Sequence, residues 1–327
     1  MSTGGTRRAD PPWRFALVST SAGKATVPRT RRNGCRAFHR SMSQSALTTA
    51  AGQGLSTPEW LDVHFEACRP EYEEMLRMVG LQSGWRVLDA GCGSGSFLPL
   101  ISELVGPSGS LVALDTAPAN IAAIERRLGV SPLGCSVALE EGSLERLPFA
   151  DASFDAVWCA NVVQYFPDPA VPSLLAELRR VVRPGGLLAV KDVDMTLFRV
   201  EPAPPFLIDH LSEASLRDEE FGAWSQGSLR GRTLRRHLEA AGLGEVWQRT
   251  LLIERWAPLR PVERRLWADW LRFLAQAALQ RAIPADEREA WRPMLDPDDP
   301  RNPINHPNFY ASEGQCVAVG RVSSATT

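Results

Sequence analysis

The chain has 327 residues, of which 44% are hydrophobic and 23% are charged, and its formal net charge is −2. This composition is typical of a globular protein with a sizeable core, built as one large α/β domain or as two small ones. The net charge gives no electrostatic case for binding nucleic acid, and no apolar run approaches the roughly 18 residues that a membrane span needs. Six scattered cysteines without a Cys-x-x-Cys pair favour a reducing, cytoplasmic location over a disulfide framework or a zinc site.

The first 54 residues differ from the rest in charge, because nine basic residues there stand against one acid, Asp10, which leaves 27 basic and 37 acidic residues for the remainder. This segment is rich in Ser, Thr, Gly and Arg and keeps no hydrophobic period, so it is predicted to be a disordered basic head or an over-extended start, with Met42 the true first residue. Its composition also resembles a transit peptide, but the excess of Arg over Lys in the remainder is typical of a bacterial coding sequence, which needs none.

Residues 55–327 are predicted to form the folded domain. They begin with two helices over 55–80, since Ser56, Thr57 and Glu59 around Pro58 form a helix start signal. Strands and helices then alternate over 84–193, with short apolar strands predicted at 86–90, 110–114, 136–140, 154–159 and 187–191. This alternation predicts βαβ units and a parallel sheet with helices on both faces.

Beyond residue 193 the alternation loosens. Residues 194–313 are predicted to hold a substrate lid of helices near 207–217, 234–241 and 261–281, together with a sixth strand at 246–253. The last strand is predicted within 314–322. The acidic stretch 296–302 is interpreted as a solvated loop and not as a metal site, because prolines interrupt it and ligand spacing is lacking. The predicted fold is therefore a doubly wound, mostly parallel, seven-stranded α/β sheet with helical lid insertions.

The strongest motif is VLDAGCGSG at residues 87–95, between a predicted strand and a predicted helix. Glycines here let the backbone approach a ligand closely, and the helix start offers free N–H groups. Such a loop also occurs in dinucleotide sites or as a plain tight turn, but the dinucleotide spacing requires Gly where Ser96 stands. Asp89 directly before the loop disfavours a phosphate and suits a cationic ammonium group. Asp115, at the end of the second strand, can accept both hydroxyls of a ribose.

Four sequence pieces in order carry a resemblance to a known family: VLDAGCGSG, ALD at 113–115, GSLERLPFADASFDAVWCANVVQYFPDP at 142–169, and ELRRVVRPGGLLAVKD at 177–192. They resemble the class I S-adenosylmethionine-dependent methyltransferases, in the small-molecule branch near the C-methyltransferases of ubiquinone and menaquinone biosynthesis. The resemblance covers residues 70–193, about two fifths of the chain. It implies a Rossmann-like fold and S-adenosylmethionine as the cofactor.

The same resemblance implies roles for individual residues. Asp89 and the loop glycines would face the methionine part of the cofactor, Asp115 would bind its ribose, and Thr116 would line the adenine side. The family often has an acid where Ser143 stands, which puts the hydrogen bond to the adenine amino group in doubt. Asn161 and Gln164 would line the mouth beside the sulfonium, unless Asn161 only caps its strand. The implied cofactor residues are Asp89, Gly91, Cys92, Gly93, Gly95, Asp115, Thr116, Ser143, Leu144, Asn161 and Gln164.

Methyl transfer from a sulfonium is an in-line displacement in which the protein mainly supplies orientation and excludes water, although an acceptor of high pKa also needs a base. Ligands of a doubly wound sheet lie at the carboxyl ends of its strands, so the candidate catalytic residues are Asp192, His210 and Tyr165, with Asp194 and Lys191 beside them. Asp192 has the best position, whereas a surface or structural role is favoured for His210. Lys191, the only lysine after residue 54, is interpreted as a chance survivor in an Arg-biased sequence.

The leading hypothesis is methyl transfer to a small, apolar or aromatic acceptor at O, N or C, in secondary metabolism, by a monomer or homodimer without nucleic-acid or membrane partners. Tryptophans in the C-terminal third favour a flat acceptor, although Trp267 and Trp270 fit a core stripe equally well. One alternative is a cofactor-binding regulator without turnover. An NAD-type oxidoreductase lacks a Tyr-x-x-x-Lys set, and a nucleic-acid methyltransferase lacks both a basic face and an Asn/Asp-Pro-Pro-Tyr motif.

Overall fold

The computed structural model describes residues 57–217 and 226–323, which belong to one compact unit, Gln44–Thr327. The predicted basic head, residues 1–54, lies outside the described residues. Thr57 begins the described chain as a helix cap, since its hydroxyl accepts a hydrogen bond from the Trp60 N–H at 3.4 Å and Pro58 follows directly. Within the described ranges, no helix combines the length and the apolar character that crossing a membrane requires.

Seven strands form a single sheet. They are β1 (Arg86–Ala90), β2 (Ser110–Asp115), β3 (Ser136–Glu141), β4 (Phe154–Ala160), β5 (Val182–Glu201), β6 (Leu243–Trp256) and β7 (Tyr310–Val322), in the spatial order β3-β2-β1-β4-β5-β7-β6. β1 to β5 pair in parallel, and β7 lies antiparallel between β5 and β6. The strand order reverses between β1 and β4, and ligands bind at such a reversal in open α/β sheets.

Nine helices of the described chain surround this sheet. They are α1 (Pro58–Ala67), α2 (Arg69–Met78), α3 (Leu98–Val105), α4 (Pro118–Val130), α5 (Val171–Arg180), α6 (Leu207–Leu216), α7 (Leu234–Ala240), α8 (Pro261–Leu279) and α9 (Ala285–Trp291). Neighbouring residues of β1 enter different apolar clusters, because side chains alternate along a strand. Val87 packs with α2, α3 and α4, whereas Leu88 packs with α5 and α7. Helices therefore cover both faces, and the predicted doubly wound, mostly parallel fold is confirmed.

A third apolar cluster joins α1, α6, α8 and α9 to the far ends of β5 and β7. Trp267 and Trp270 of α8 are buried in it, and Phe198 of β5 packs against both indole rings at centroid distances of 5.1 and 5.5 Å. The Trp267–Trp270 stripe thus belongs to the core, and Trp270 also reaches the cavity described below. Through this cluster α1, α6, α8 and α9 pack against the same end of the sheet.

The last three strands are longer than the sequence predicts. β5 was expected to end near 191 but continues to Glu201, and β7 begins at Tyr310, inside the segment predicted as lid. The two strands pair from Leu187 opposite Arg321 to Glu201 opposite Tyr310, with an irregularity after Asp194. The extension escapes sequence analysis because its partner strand lies more than a hundred residues away along the chain.

Gly186, near the start of β5, lies at a place where β4 and β5 pack closely, so a substitution there probes this packing. A Cβ at this position would lie 2.5 Å from the Asp155 carbonyl oxygen and 2.9 Å from the Arg183 carbonyl oxygen. We expect Gly186→Ala to lower the free energy of unfolding by ~1–3 kcal/mol in chemical denaturation, as overpacking does. Gly129→Ala in α4 is the matched control, because its Cβ would meet nothing within 4 Å and should stabilise the helix slightly. Equal stability of the two variants would contradict this packing.

Candidate functional site

A cavity of about 290 Å³ opens where the strand order reverses, at the carboxyl ends of β1, β2 and β4. The loop after β1 and the ends of β2 and β4 form its polar side. Aromatic side chains of the N-terminal helices and of α8 form the opposite wall, namely Trp60, Phe65, Tyr72 and Trp270. The cavity therefore combines a polar floor with an apolar wall, as small-molecule sites commonly do.

The glycine loop lies against the end of β2 and needs its glycines. The N–H groups of Gly91 and Cys92 both donate to the Leu114 carbonyl, at 2.8 and 2.9 Å. Gly91 has a φ of +79°, and a Cβ there would lie 2.4 Å from a methyl group of Val162. Gly93 has a φ of +53° and has Leu61 of α1 at its back. The backbone of the loop at Gly91 and Gly93 therefore lines the cavity directly, because neither residue has a side chain.

Asp89 is a buried carboxylate of the cavity with one oxygen that lacks a hydrogen-bond partner in the described chain. Its side chain lines the cavity although the residue is only 1% exposed, and no group of the described chain hydrogen-bonds to its Oδ2 atom. Burial, reinforced by the charge of Asp115, raises the pKa of this carboxyl to about 8. A buried carboxylate without donors is costly, so a cationic or N–H-bearing ligand in the cavity would stabilise its charged form.

Asp115 is held in place by its neighbours at the edge of the cavity. Its Oδ2 accepts a hydrogen bond from the Gly93 N–H at 2.9 Å, and its Oδ1 accepts from the Ala117 N–H at 2.8 Å and from the Asn120 amide at 3.2 Å. These bonds join the end of β2 to the glycine loop and to the start of α4. The carboxylate is thereby fixed beside the loop, where each oxygen retains acceptor capacity for a ligand.

The structure brings ten of the eleven predicted cofactor residues together on this one cavity. The exception is Gly95, which is absent from the lining within the described chain. A Cβ on Gly95 would lie 2.8 Å from Ile124 of α4 and 2.9 Å from Leu98 of α3. Its role is thus the close packing of the loop against two helices, and its prediction as a cofactor contact is corrected.

The predicted catalytic residues separate. Tyr165 lines the cavity, and burial raises the pKa of its hydroxyl. Asp192 is fully buried, which raises its pKa to about 7, but it lies outside the cavity lining. His210 is half exposed on α6 and pairs with Glu287 of α9, also outside the lining, because α6 packs with its apolar face inward. Of the three, only Tyr165 lines the cavity, and a catalytic role for any of them stays a prediction.

Lys191 is absent from the cavity lining, but it is buried beside the cavity and bonds to Asn161, which lines it, and this overturns its interpretation as a chance survivor. The side chain is 0% exposed, its Nζ donates to Asn161 Oδ1 at 2.8 Å, and it lies 3.7 Å from the ring centre of Tyr72. Burial lowers the pKa of the amine to about 7. Asn161 has a φ of +58°, and its N–H donates to the Lys191 carbonyl at 2.6 Å. Lys191 thus holds Asn161, at the edge of the cavity, in the left-handed backbone conformation, which few residues other than glycine adopt.

A buried polar cluster, which sequence analysis missed, begins in the aromatic wall and extends behind it. It comprises His64, Cys68, Tyr72, Glu313 and Gln315. Oε1 of Glu313 is 3.2 Å from His64 Nε2, 3.4 Å from Cys68 Sγ and 3.1 Å from Gln315 Nε2. His64 and Glu313 are 249 positions apart, so no local motif joins them. The available signal was a glutamate in an otherwise apolar strand and a histidine on an apolar helix face.

The donor atoms of His64, Cys68 and Glu313 all lie within 4.8 Å of one another, which is close enough for a metal ion. Their surroundings oppose one. The charges of Arg255 and Lys191 act on this cluster, and burial together with Glu313 raises the pKa of the Cys68 thiol, so the thiolate that a metal needs is disfavoured. The Cys68 thiol already donates a hydrogen bond to Oε1 of Glu313, and His64 Nε2 pairs with the same oxygen.

Residues 87–186 match the family described as methyltransferase domain. Over 129 residues the chain is 35% identical to an uncharacterized 37.1 kDa protein in transposon TN4556 of Streptomyces fradiae, which covers 39% of this chain and 36% of that one. Over 127 residues it is 33% identical to the demethylmenaquinone methyltransferase of Geobacillus kaustophilus, covering 38% and 53%. A crystal structure of a SAM dependent methyltransferase from Aquifex aeolicus superimposes with a TM-score of 0.45 at 23% identity, covering 59% and 91%. The chain spans about a third to a half of the length of these curated relatives.

Asp89→Asn is expected to change how stability depends on pH. The folded protein keeps a proton on Asp89 up to about pH 8, whereas the unfolded chain releases it near a pKa of ~4. Between these values the folded state binds the extra proton, so the free energy of unfolding falls as pH rises, by up to ~1.4 kcal/mol per pH unit.

Asparagine takes up no proton, so the stability of Asp89→Asn relative to the parent protein should rise by ~1 kcal/mol or more between about pH 5 and pH 7.5. Urea denaturation of the ligand-free proteins at several pH values measures this difference. A difference that stays constant over that range would mean that Asp89 is already ionised in the folded protein.

Proposed function

We propose that this chain, whose residues 87–186 match the family described as methyltransferase domain, is a class I methyltransferase that binds S-adenosylmethionine in the cavity and transfers its methyl group to a small acceptor. The observation that carries the proposal is the buried carboxylate of Asp89, whose Oδ2 finds no donor in the described chain. The α-amino group of the cofactor is a cation with several N–H donors. It supplies the charge and the hydrogen bonds that Asp89 lacks.

The remaining residues of the polar side fit the other parts of the cofactor. Asp115 would accept hydrogen bonds from the ribose hydroxyls, because its neighbours already fix it beside the glycine loop. Gly91 and Gly93 leave backbone free for close approach to the methionine part. Ser143 and Leu144 would flank the adenine. The bound cofactor supplies an activated methyl group on a good leaving group, so the chain itself must mainly align the acceptor and exclude water.

An apolar or aromatic acceptor is supported by the wall that faces the glycine loop. Trp60, Phe65 and Trp270 are buried aromatic residues that line the cavity, and Met195 continues this wall. Met195 is also shared with a second cavity of about 140 Å³ that apolar residues of α6 and α8 line. An acceptor with a flat ring and an apolar extension would bury most surface there. Methylation at O, N or C and a place in secondary metabolism belong to the same proposal.

The proposal extends to the state of the protein in the cell. We infer a cytoplasmic enzyme, monomeric or homodimeric, that acts on a small molecule and not on nucleic acid. The formal net charge of −2 and the aromatic cavity support this, because a nucleic-acid enzyme uses a basic face around its site.

Asp89→Asn should weaken binding of S-adenosylhomocysteine, the demethylated cofactor, by ~10- to 100-fold, because the ligand ammonium loses its anionic partner. Isothermal titration calorimetry measures the dissociation constant. Asp298→Asn is the matched control, since it makes the same chemical change in an exposed loop outside the cavity lining. Equal loss in both variants, or none in either, would contradict the placement of the amino group.

The transfer itself is tested with S-adenosylmethionine labelled on the methyl group, the purified protein and an extract of the source cell. Label is expected in the organic-soluble small molecules, whose mass spectrum would name the acceptor. Label in protein or nucleic acid would refute the substrate class. Cofactor binding without any transfer would favour the regulator alternative.

A further inference from the structure

We propose that Tyr72 and His64, with Glu313 as the positioning residue, form a proton relay that deprotonates the acceptor, and that the acceptor is therefore a neutral hydroxyl of the phenol or enol type. This inference rests on the proposed methyl transfer and adds the base that it needs. Tyr72 and His64 both line the cavity, and the Tyr72 hydroxyl lies 3.0 Å from His64 Nε2. Glu313 Oε1 lies 3.2 Å from the same nitrogen.

The relay is placed at the reacting end of the cavity. Tyr72 packs over Lys191 Nζ, which donates to Asn161 Oδ1, so the phenol ring and Asn161 share one small region at the end of β4. Asn161 also lines the cavity, together with Asp89 and Asp115 of its polar side. An acceptor hydroxyl bound against the aromatic wall beside Asn161 would therefore lie next to Tyr72.

His64 has a ring that aromatic neighbours hold in place and a nitrogen positioned to accept a proton. Its ring packs against the rings of Trp60 and Trp270, at centroid distances of 4.7 and 6.3 Å. The Nε2 atom meets a donor, the Tyr72 hydroxyl, when it is neutral, and an acceptor, Glu313 Oε1, when it is protonated. Both protonation states of this nitrogen thus have a partner without rearrangement, which is what a general base requires.

Glu313 is kept as an anion in this buried position. Burial by itself would raise the pKa of its carboxyl, but the charge and hydrogen bond of His64, with Lys191 and Gln315, outweigh burial and lower the pKa. Arg255 of β6 and Cys68 of α1 complete the charged and titratable surroundings of the cluster. An imidazolium formed on His64 would therefore be paired with the Glu313 carboxylate, whose ionised form its charge favours.

The step balances as follows. The O–H bond of the acceptor breaks and its proton binds the Tyr72 oxygen, while the phenolic proton of Tyr72 moves to the neutral Nε2 of His64. The electron pair left on the acceptor oxygen forms the new bond to the methyl carbon, whose bond to sulfur breaks with its electrons remaining on sulfur. The product is an ether, and His64 is left as an imidazolium paired with Glu313. Release of that proton to solvent restores the site.

Two probes of matched shape separate proton transfer from binding: 2-naphthol and naphthalene-2-thiol. Thiols are more acidic than phenols, so the thiol reacts as its anion without a base, whereas the naphthol needs one. Tyr72→Phe, which keeps the ring over Lys191, and His64→Gln should each slow methylation of the naphthol by ~100-fold or more. In both variants the ratio of the naphthol rate to the thiol rate should therefore fall by ~30-fold or more. Labelled methyl transfer measures each rate.

Glu313→Gln tests the positioning role through the pH profile. Loss of the anion makes the imidazolium less stable, so the acidic limb of the naphthol rate should move to lower pH by about one unit or more while the maximal rate falls. A merely structural role for Glu313 would lower the rate at every pH without moving the limb. The thiol rate should show no such movement.

The matched controls remove the same groups elsewhere. Tyr310→Phe removes a hydroxyl that donates to Glu254 at 2.9 Å, and His210→Gln breaks a second histidine–glutamate pair, both outside the cavity lining. Neither should change the ratio of naphthol to thiol rates. Titration of every variant with S-adenosylhomocysteine shows whether the cofactor site is intact and serves as the check on folding.

Unchanged naphthol methylation in Tyr72→Phe and His64→Gln, or equal loss with both probes, would overturn the relay. A parent protein that binds S-adenosylhomocysteine but methylates neither probe would overturn the phenol-type acceptor and leave the cofactor site standing. A parent protein that does not bind S-adenosylhomocysteine would overturn the proposed function itself.

Discussion

The antiparallel pairing of β7 with β5 is the constraint on which the rest of this site depends. It runs from the core of the sheet to its far end, and it sets Gln315 opposite Val193 and Gly314 opposite Asp194. Glu313 therefore lies beside α1 and α2, next to His64 and Tyr72 on the inner faces of these helices. Without this strand pair the cavity would keep its polar floor but lose the groups behind its aromatic wall.

Two buried carboxyl groups, Glu313 and Asp89, have surroundings that shift their pKa values in opposite directions. Oε1 of Glu313 accepts hydrogen bonds from the Cys68 thiol and the Gln315 amide and pairs with His64, and the pKa of the carboxyl is lowered although no described group bonds its Oε2. Asp89 has no donor at its Oδ2 in the described chain and no cation beside it, and burial raises its pKa to about 8. A group that destabilises the empty protein and gains its partner from a ligand is typical of binding sites, where stability is given up for affinity.

The aromatic residues of the C-terminal helices serve the core and the cavity at once. Trp270 packs against Phe198 and Trp60 and also lines the cavity wall. The same indole therefore ties α8 to the sheet and shapes the space beside His64. A wall of this kind is preorganised for a small ligand, because its rings are held by the packing of the core.

The sequence by itself predicted the sheet of β1 to β5 and the glycine loop, and ten of the eleven residues that it predicted as cofactor contacts line the cavity. These features are local, because strand alternation, the loop glycines and the acids at the ends of β1 and β2 each depend on a few neighbouring residues. Only the tertiary structure decided that Lys191 is buried, that His210 stands outside, and that His64 meets Glu313. Those outcomes depend on strand pairing and helix packing between distant parts of the chain, and no residue pattern along the sequence encodes the 249 positions that separate His64 from Glu313.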